Sequence, residues 1–230
     1  MHNMRNQLLR TLIISFVFLL MPVIHAAEES YITIRSSYAD ISVPQIQSIP
    51  NVVIDKVEDW GFWGHSTIIH HYDLKSVKAD KVVIDHTTGL MWHQSGSEKY
   101  MNWKLANSWV EQLNEKGYAG FNDWRLPTVE EAVSLLEPDK KNGNLYIDHA
   151  FEVKQQWIWT GDKMSGLEAA WVVAFYDSNV CWYAFTSRYH YVRPVRSIKW
   201  YELILMFHLP HFFFLLWNNI WCYNIEREYV

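Results

Sequence analysis

Apolar and polar positions change rhythm three times along the middle of this chain. Val82 to Asp85 and Leu90 to His93 are two short apolar runs around a Thr88-Gly89 turn, a pattern that predicts paired strands. Leu105, Ala106, Trp109, Val110 and Leu113 then recur at three- to four-residue spacing, which predicts a helix with one buried face. Asn102 stands where an N-cap belongs, and Gly117 stands where a C′ glycine ends the helix. A second helix is predicted to start at Thr128-Val-Glu-Glu131. There a Thr hydroxyl and a Glu carboxylate can satisfy each other's backbone amides. Ala132, Val133, Leu135 and Leu136 supply its buried face, and Pro138 stops it.

The last third turns to strand patterning. Trp157 to Thr160, Ala170 to Tyr176, Val180 to Phe185 and Tyr191 to Val195 read as strands, with Asp177-Ser178-Asn179 as a turn. Strands, two helices and then an antiparallel sheet make an α+β layout. Residues 28–80 are less regular. Ser36-Ser37, Pro44 and Pro50 punctuate short apolar pieces, and Asp59-Trp60-Gly61-Phe62-Trp63-Gly64 reads as an aromatic turn. Trp60, Phe62 and Trp63 are poor residues for a free linker, so this segment is expected to pack on the domain that begins at residue 81.

The ends of the chain differ from its middle. Residues 1–27 read as an export signal. Arg5 and Arg10 precede an apolar stretch from Leu12 to Leu20, and Ala26-Ala27 offers small residues for cleavage. That stretch is shorter than the roughly 20 residues needed to cross a bilayer. The expected location is therefore the periplasm or the cell surface and exterior. Residues 198–230 form an apolar C-terminal tail, interrupted by His208, Pro210 and His211. They are expected to seek a weak membrane or protein contact, or to promote association between copies, rather than to span a membrane.

Charge removes one class of partner. The chain carries 20 Lys+Arg against 25 Asp+Glu, and without residues 1–27 the basic count falls to 18. Nucleic acid binding rests on a clustered basic surface, so it is not expected here. Two cysteines, Cys181 and Cys222, make no disulfide framework, and no bridge between them is expected.

Candidate catalytic and metal chemistry is thin. Asn122-Asp123-Trp124-Arg125 offers calcium-type oxygens, yet calcium takes six or more ligands and no neighbouring loop supplies the rest. These residues are expected to tie a loop together. Asp139 to Asp148 resembles an EF-hand loop only superficially, since Lys141 and Gly143 fall at the wrong positions. The eleven His follow no zinc spacing, and Gly96-Ser97 lacks a nucleophile-elbow frame. No cofactor and no catalysis are expected. What remains is aromatic surface around the last hairpin. Trp182, Tyr183, Arg188 and Tyr189 are the candidate ligand contacts, because such side chains combine flat apolar faces with polar edges.

Four short motifs carry a resemblance. Val-Ile-Asp-His-Thr-Thr-Gly-Leu-Met-Trp (83–92), Asn-Asp-Trp-Arg-Leu-Pro-Thr (122–128), Trp-Ile-Trp-Thr-Gly (157–161) and Val-Arg-Pro-Val-Arg (192–196) together resemble the Lcl C-terminal domain family. The resemblance spans residues 81–197 and implies a C-type-lectin-like fold, with residues 28–80 as a leader segment. It also implies recognition rather than catalysis. Similar domains in bacterial adhesins bind sulfated glycosaminoglycans, although the negative charge here shifts the expectation towards neutral glycans or surface proteins. The wider fold group includes formylglycine-generating enzymes, whose chemistry needs a cysteine pair, and this domain has Cys181 alone.

Overall fold

In the computed structural model, the described residues are 31–56, 61–187 and 189–199. The export signal over 1–27, Asp59 and Trp60, Arg188, and the tail from residue 200 onward lie outside them. In chain order the elements are β1 (Asp40–Ile41), α1 (Val43–Ile46), β2 (Val52–Lys56), β3 (Phe62–Ser66), β4 (Tyr72–Val77), β5 (Asp80–Asp85) and β6 (Leu90–His93). Then come α2 (Trp103–Lys116), α3 (Val129–Ser134), β7 (Trp157–Met164), β8 (Ala169–Ala174), β9 (Asn179–Ala184) and β10 (Val195–Ser197). The result is mostly β-sheet with few helices, and Tyr31–Ser197 form one unit.

The local signals at the helices act as their chemistry dictates. Asn102 accepts a hydrogen bond from the Leu105 amide at 2.9 Å, and Gly117 ends α2 in the left-handed conformation at φ 66°. Thr128 Oγ1 accepts from the Glu131 amide at 3.1 Å while Glu131 accepts from the Thr128 amide at 2.8 Å. That capping box lies inside the protein, for every residue of α3 is buried. Helix α3 stops at Ser134, one turn before Pro138, and Leu135 and Leu136 close it with tighter bonds to Ala132 and Val133.

The sheets depart from the single antiparallel sheet expected. Among the described residues there are two, one of six strands in the order β1-β7-β8-β9-β3-β2 and one of four in the order β10-β6-β5-β4. The pairing of β1 with β7 is parallel. Hairpin β5–β6 cannot join the later meander, because its two edges are already taken by β4 and β10. Both sheets and α3 share one core, in which Val83 and Trp92 meet Ile158, Trp171 and Val173 beside Val129 and Val133.

Two further expectations are corrected. Phe62, Trp63 and Gly64 form no turn. They lie in β3, paired with β2 and β9, and Phe62 is buried. The last strand is Val195–Ser197 rather than Tyr191 to Val195. Pro194 has no amide to give a ladder, so regular pairing begins only after it. Residues between β1 and β4 thus contribute to both sheets.

Candidate functional site

The four predicted contact residues do not form one cluster. Arg188 lies outside the described residues. Trp182 and Tyr183 are neighbours in β9, so their side chains leave opposite faces of the sheet. Trp182 stands opposite Trp171 and meets it edge to face, with centroids 5.3 Å apart. It also faces Phe62 at 6.4 Å and packs, half-buried, on the core. Tyr183 points the other way, on the face that carries Ala170 and Ala174 of β8 and Trp157 and Trp159 of β7.

On that face the small side chains of Ala170 and Ala174 leave room for a second layer of rings. His190 sits in it, 4.5 Å from Tyr183, 4.4 Å from Trp159 and 6.2 Å from Trp157. The segment before α2 covers the same side. Met101 and His190 form an isolated antiparallel bridge, and the Trp159 indole donates to the Met101 carbonyl at 2.8 Å. Trp103 stacks on Phe185 at 4.7 Å and donates to the Thr160 carbonyl at 2.8 Å. These bonds bring Tyr100 within 6.3 Å of Tyr189 and 5.9 Å of Tyr191. The outcome is an aromatic face with an exposed rim: Tyr189 is 76% exposed, Tyr100 57% and Tyr183 38%. Tyr183 and Tyr189 are visible as candidates in the sequence. Tyr100, Trp157 and His190 are not, since the Met101–His190 bridge brings residues 100 and 189 together and nothing local announces it.

Among the described residues, the rings of this face are neutral groups. Burial pushes the His190 imidazole down to about 4, so it is uncharged near neutral pH, and its Nδ1 has no hydrogen-bond partner among the described residues. Burial raises the Tyr183 phenol above its ordinary value. The ion pair of Lys154 with Glu98, 2.5 Å between Nζ and Oε2, is exposed and self-compensating.

The remaining signatures are spent on structure. Asp123 binds the buried Arg196 at 2.6 and 3.1 Å, and Arg196 lies over the Phe121 ring at 3.8 Å. Trp124 exchanges two 2.8 Å bonds with the Asn114 side chain. Arg125 holds Glu131 in a two-point contact at 2.6 and 2.5 Å. Arg193 is wholly buried and donates to the carbonyls of Gln94 and Glu152. Asp123 and Arg125 therefore serve as loop ties. Burial drives the Cys181 thiol up to about 12, which leaves it as an unreactive thiol. Cys222 lies outside the described residues. Among the described residues no group of three His, Cys, Asp or Glu side chains could hold a metal ion, and no helix is long and apolar enough to cross a membrane.

The fold is a mostly β scaffold with its polar motifs turned inward. The model of the Lcl C-terminal domain matches residues 81–196, and the chain belongs to that family. Neither the curated proteins nor the solved structures contain a match to it.

Proposed function

We propose that the protein is an exported recognition module that binds carbohydrate through the Tyr100, Tyr183 and Tyr189 face. One observation carries the reading: three exposed tyrosines crown a layer of buried and half-buried rings, two of which, Trp103 and Trp159, are fixed by indole hydrogen bonds. Flat rings held in advance offer stacking area with little ordering cost, and their hydroxyls give a polar edge. The adhesin resemblance read in the sequence favours recognition over catalysis, and the order of hairpin, two helices and meander suits a C-type-lectin-like layout. The export signal read in residues 1–27 supports a location at the cell surface or in the periplasm, and with it an adhesin-like role.

The ligand class follows from charge. With fewer basic than acidic residues in the whole chain, and a neutral imidazole within the face, uncharged glycans suit it better than sulfated ones. A glycan array probed with the purified chain is the test. Binding to neutral glycans that weakens about tenfold in Tyr189→Ala supports the reading. A blank array overturns it, and a blank array with capture of a defined surface protein moves the same face to protein recognition.

A further inference from the structure

The loop Asp139 to Asp148 fits no metal pattern and takes no part in the aromatic face, yet it is firmly built. Asn142 and Leu145 pair in an isolated bridge, and the Lys141 amide donates to the Leu145 carbonyl at 3.1 Å. The Asn142 side-chain amide reaches the carbonyls of Asp148 and Phe151 at 3.2 and 2.8 Å. Leu145 and Ile147 anchor the loop in the core. Tyr146 donates through its amide to the Phe175 carbonyl at 2.7 Å, which sets the loop beside the end of β8. Lys140 Nζ stands 5.3 Å from the Tyr176 ring centre and 5.5 Å from that of Tyr146, tying the two rings through one cation.

A hollow of about 230 Å³ opens between this loop, Tyr176 and the stretch leading into β7. Its walls include Asn142, Asn144, Val153, Gln156 and Tyr176, and no charged side chain among the described residues lines it. Tyr176 is 51% exposed and Val153 46%. Asn142 is committed to the loop, whereas Asn144 and Gln156 are exposed, with side-chain amides that no partner among the described residues takes up. One aromatic face, one apolar wall and two unengaged amides are the complement of a ring that is apolar on its faces and hydroxylated at its edge. No cation or carboxylate is among the lining side chains, and the Lys140 ammonium beside them is shared between the Tyr146 and Tyr176 rings.

We propose that this hollow is a binding site for a single uncharged sugar ring, with Tyr176 as the stacking platform and Asn144 and Gln156 as hydrogen-bonding partners to its hydroxyls. The proposal goes beyond the aromatic face and is separable from it. Glucose, galactose, mannose and N-acetylglucosamine, each titrated to tens of millimolar into the isotopically labelled full chain, are the probes. Amide shifts at residues 142–145, 156 and 176 with at least one of them are expected. Tyr176→Ala should weaken that binding by about tenfold, and Tyr176→Phe should retain most of it, since the platform is kept. Both variants alter an exposed side chain, and an unchanged melting temperature confirms their fold. The absence of shifts at the hollow with all four sugars, or full-strength binding by Tyr176→Ala, overturns the proposal. Shifts confined to residues 100, 183 and 189 overturn it while upholding the aromatic face. Shifts confined to the hollow do the reverse.

Discussion

Arg35 holds the Asp162 carboxylate through both terminal nitrogens, at 3.0 and 2.7 Å, and Asp162 is completely buried. The same carboxylate accepts the backbone amides of Ala39 and Val129, each at 2.7 Å. One side chain in β7 thereby fastens the segment before β1 to the start of α3. Tyr38 completes the join. Its hydroxyl donates to the Leu126 carbonyl at 3.0 Å, and its ring lies so close to Gly161 that a side chain there would collide at 2.0 Å.

Removing either partner of this part-buried pair leaves the other's polar group short of its bonds. Asp162→Ala strands two amides and a guanidinium, and should lower unfolding free energy by about 3 kcal/mol. Denaturant unfolding at neutral pH measures it. A loss below about 0.5 kcal/mol would show that residues 31–39 are not fastened by this carboxylate.

Thr128 makes a second join in the same place. Besides capping α3, its hydroxyl donates to the Arg35 carbonyl at 2.9 Å, and the residue is fully buried. Thr128→Ala should therefore cost about 2 kcal/mol, the upper end for a cap, because a second bond is lost with the first. Thr128→Ser should recover most of it. Equal instability of the two variants would place the effect in the methyl group instead.

How much of the fold is legible in the sequence depends on range. The caps at Asn102 and Thr128 and the turn at Thr88-Gly89 are local devices, acting within a few residues, so spacing alone reveals them. Membership of β3 is not legible, since Phe62-Trp63-Gly64 owes its strand to β2 and β9 and the flanking glycines read as turn chemistry. Arg193 and Arg196 look like surface residues by type, and only the finished fold supplies the carbonyls and the Asp123 carboxylate that let them lie inside. The aromatic face is half visible for the same reason. Tyr183 and Tyr189 stand close in sequence, whereas Tyr100 arrives through a bridge to a distant segment. Alternation in β9 assigns Trp182 and Tyr183 to separate roles only once pairing with β8 shows which face is core.

Acid sensitivity should come from two buried histidines. Burial lowers His190 to about 4, and burial followed by the nearby Arg193 lowers His93 to about 3. His93 is held neutral by accepting the Gly96 amide on Nδ1 at 2.8 Å. Above the ordinary histidine value of about 6.5 neither state binds a proton and the stabilisation is complete. As pH falls below that, the unfolded chain takes up protons that the folded chain refuses, so stability declines until the folded values are reached. Between pH 7 and pH 5 each group should remove about 2 kcal/mol. Urea unfolding at both values tests this, with His190→Phe expected to lose about half of the difference. An unchanged pH dependence in that variant would mean that His190 is not the titrating group.

The division of β9 into a packing face and a proposed recognition face yields the most direct contrast. Trp182 meets Trp171 and Phe62 on the core side, so Trp182→Ala should cost about 2 kcal/mol of stability while leaving the tyrosine rim in place. Tyr189 and Tyr100 are largely exposed and meet each other at 6.3 Å. Tyr189→Ala and Tyr100→Ala should each stay within about 0.5 kcal/mol of the parent in stability, as surface changes do. Each should nevertheless lose most glycan signal, because the two rings form one stacking surface. Thermal melting and array binding on the same three proteins separate the outcomes. If Trp182→Ala loses binding at full stability, or if the tyrosine variants melt early, the two faces have been assigned the wrong way round.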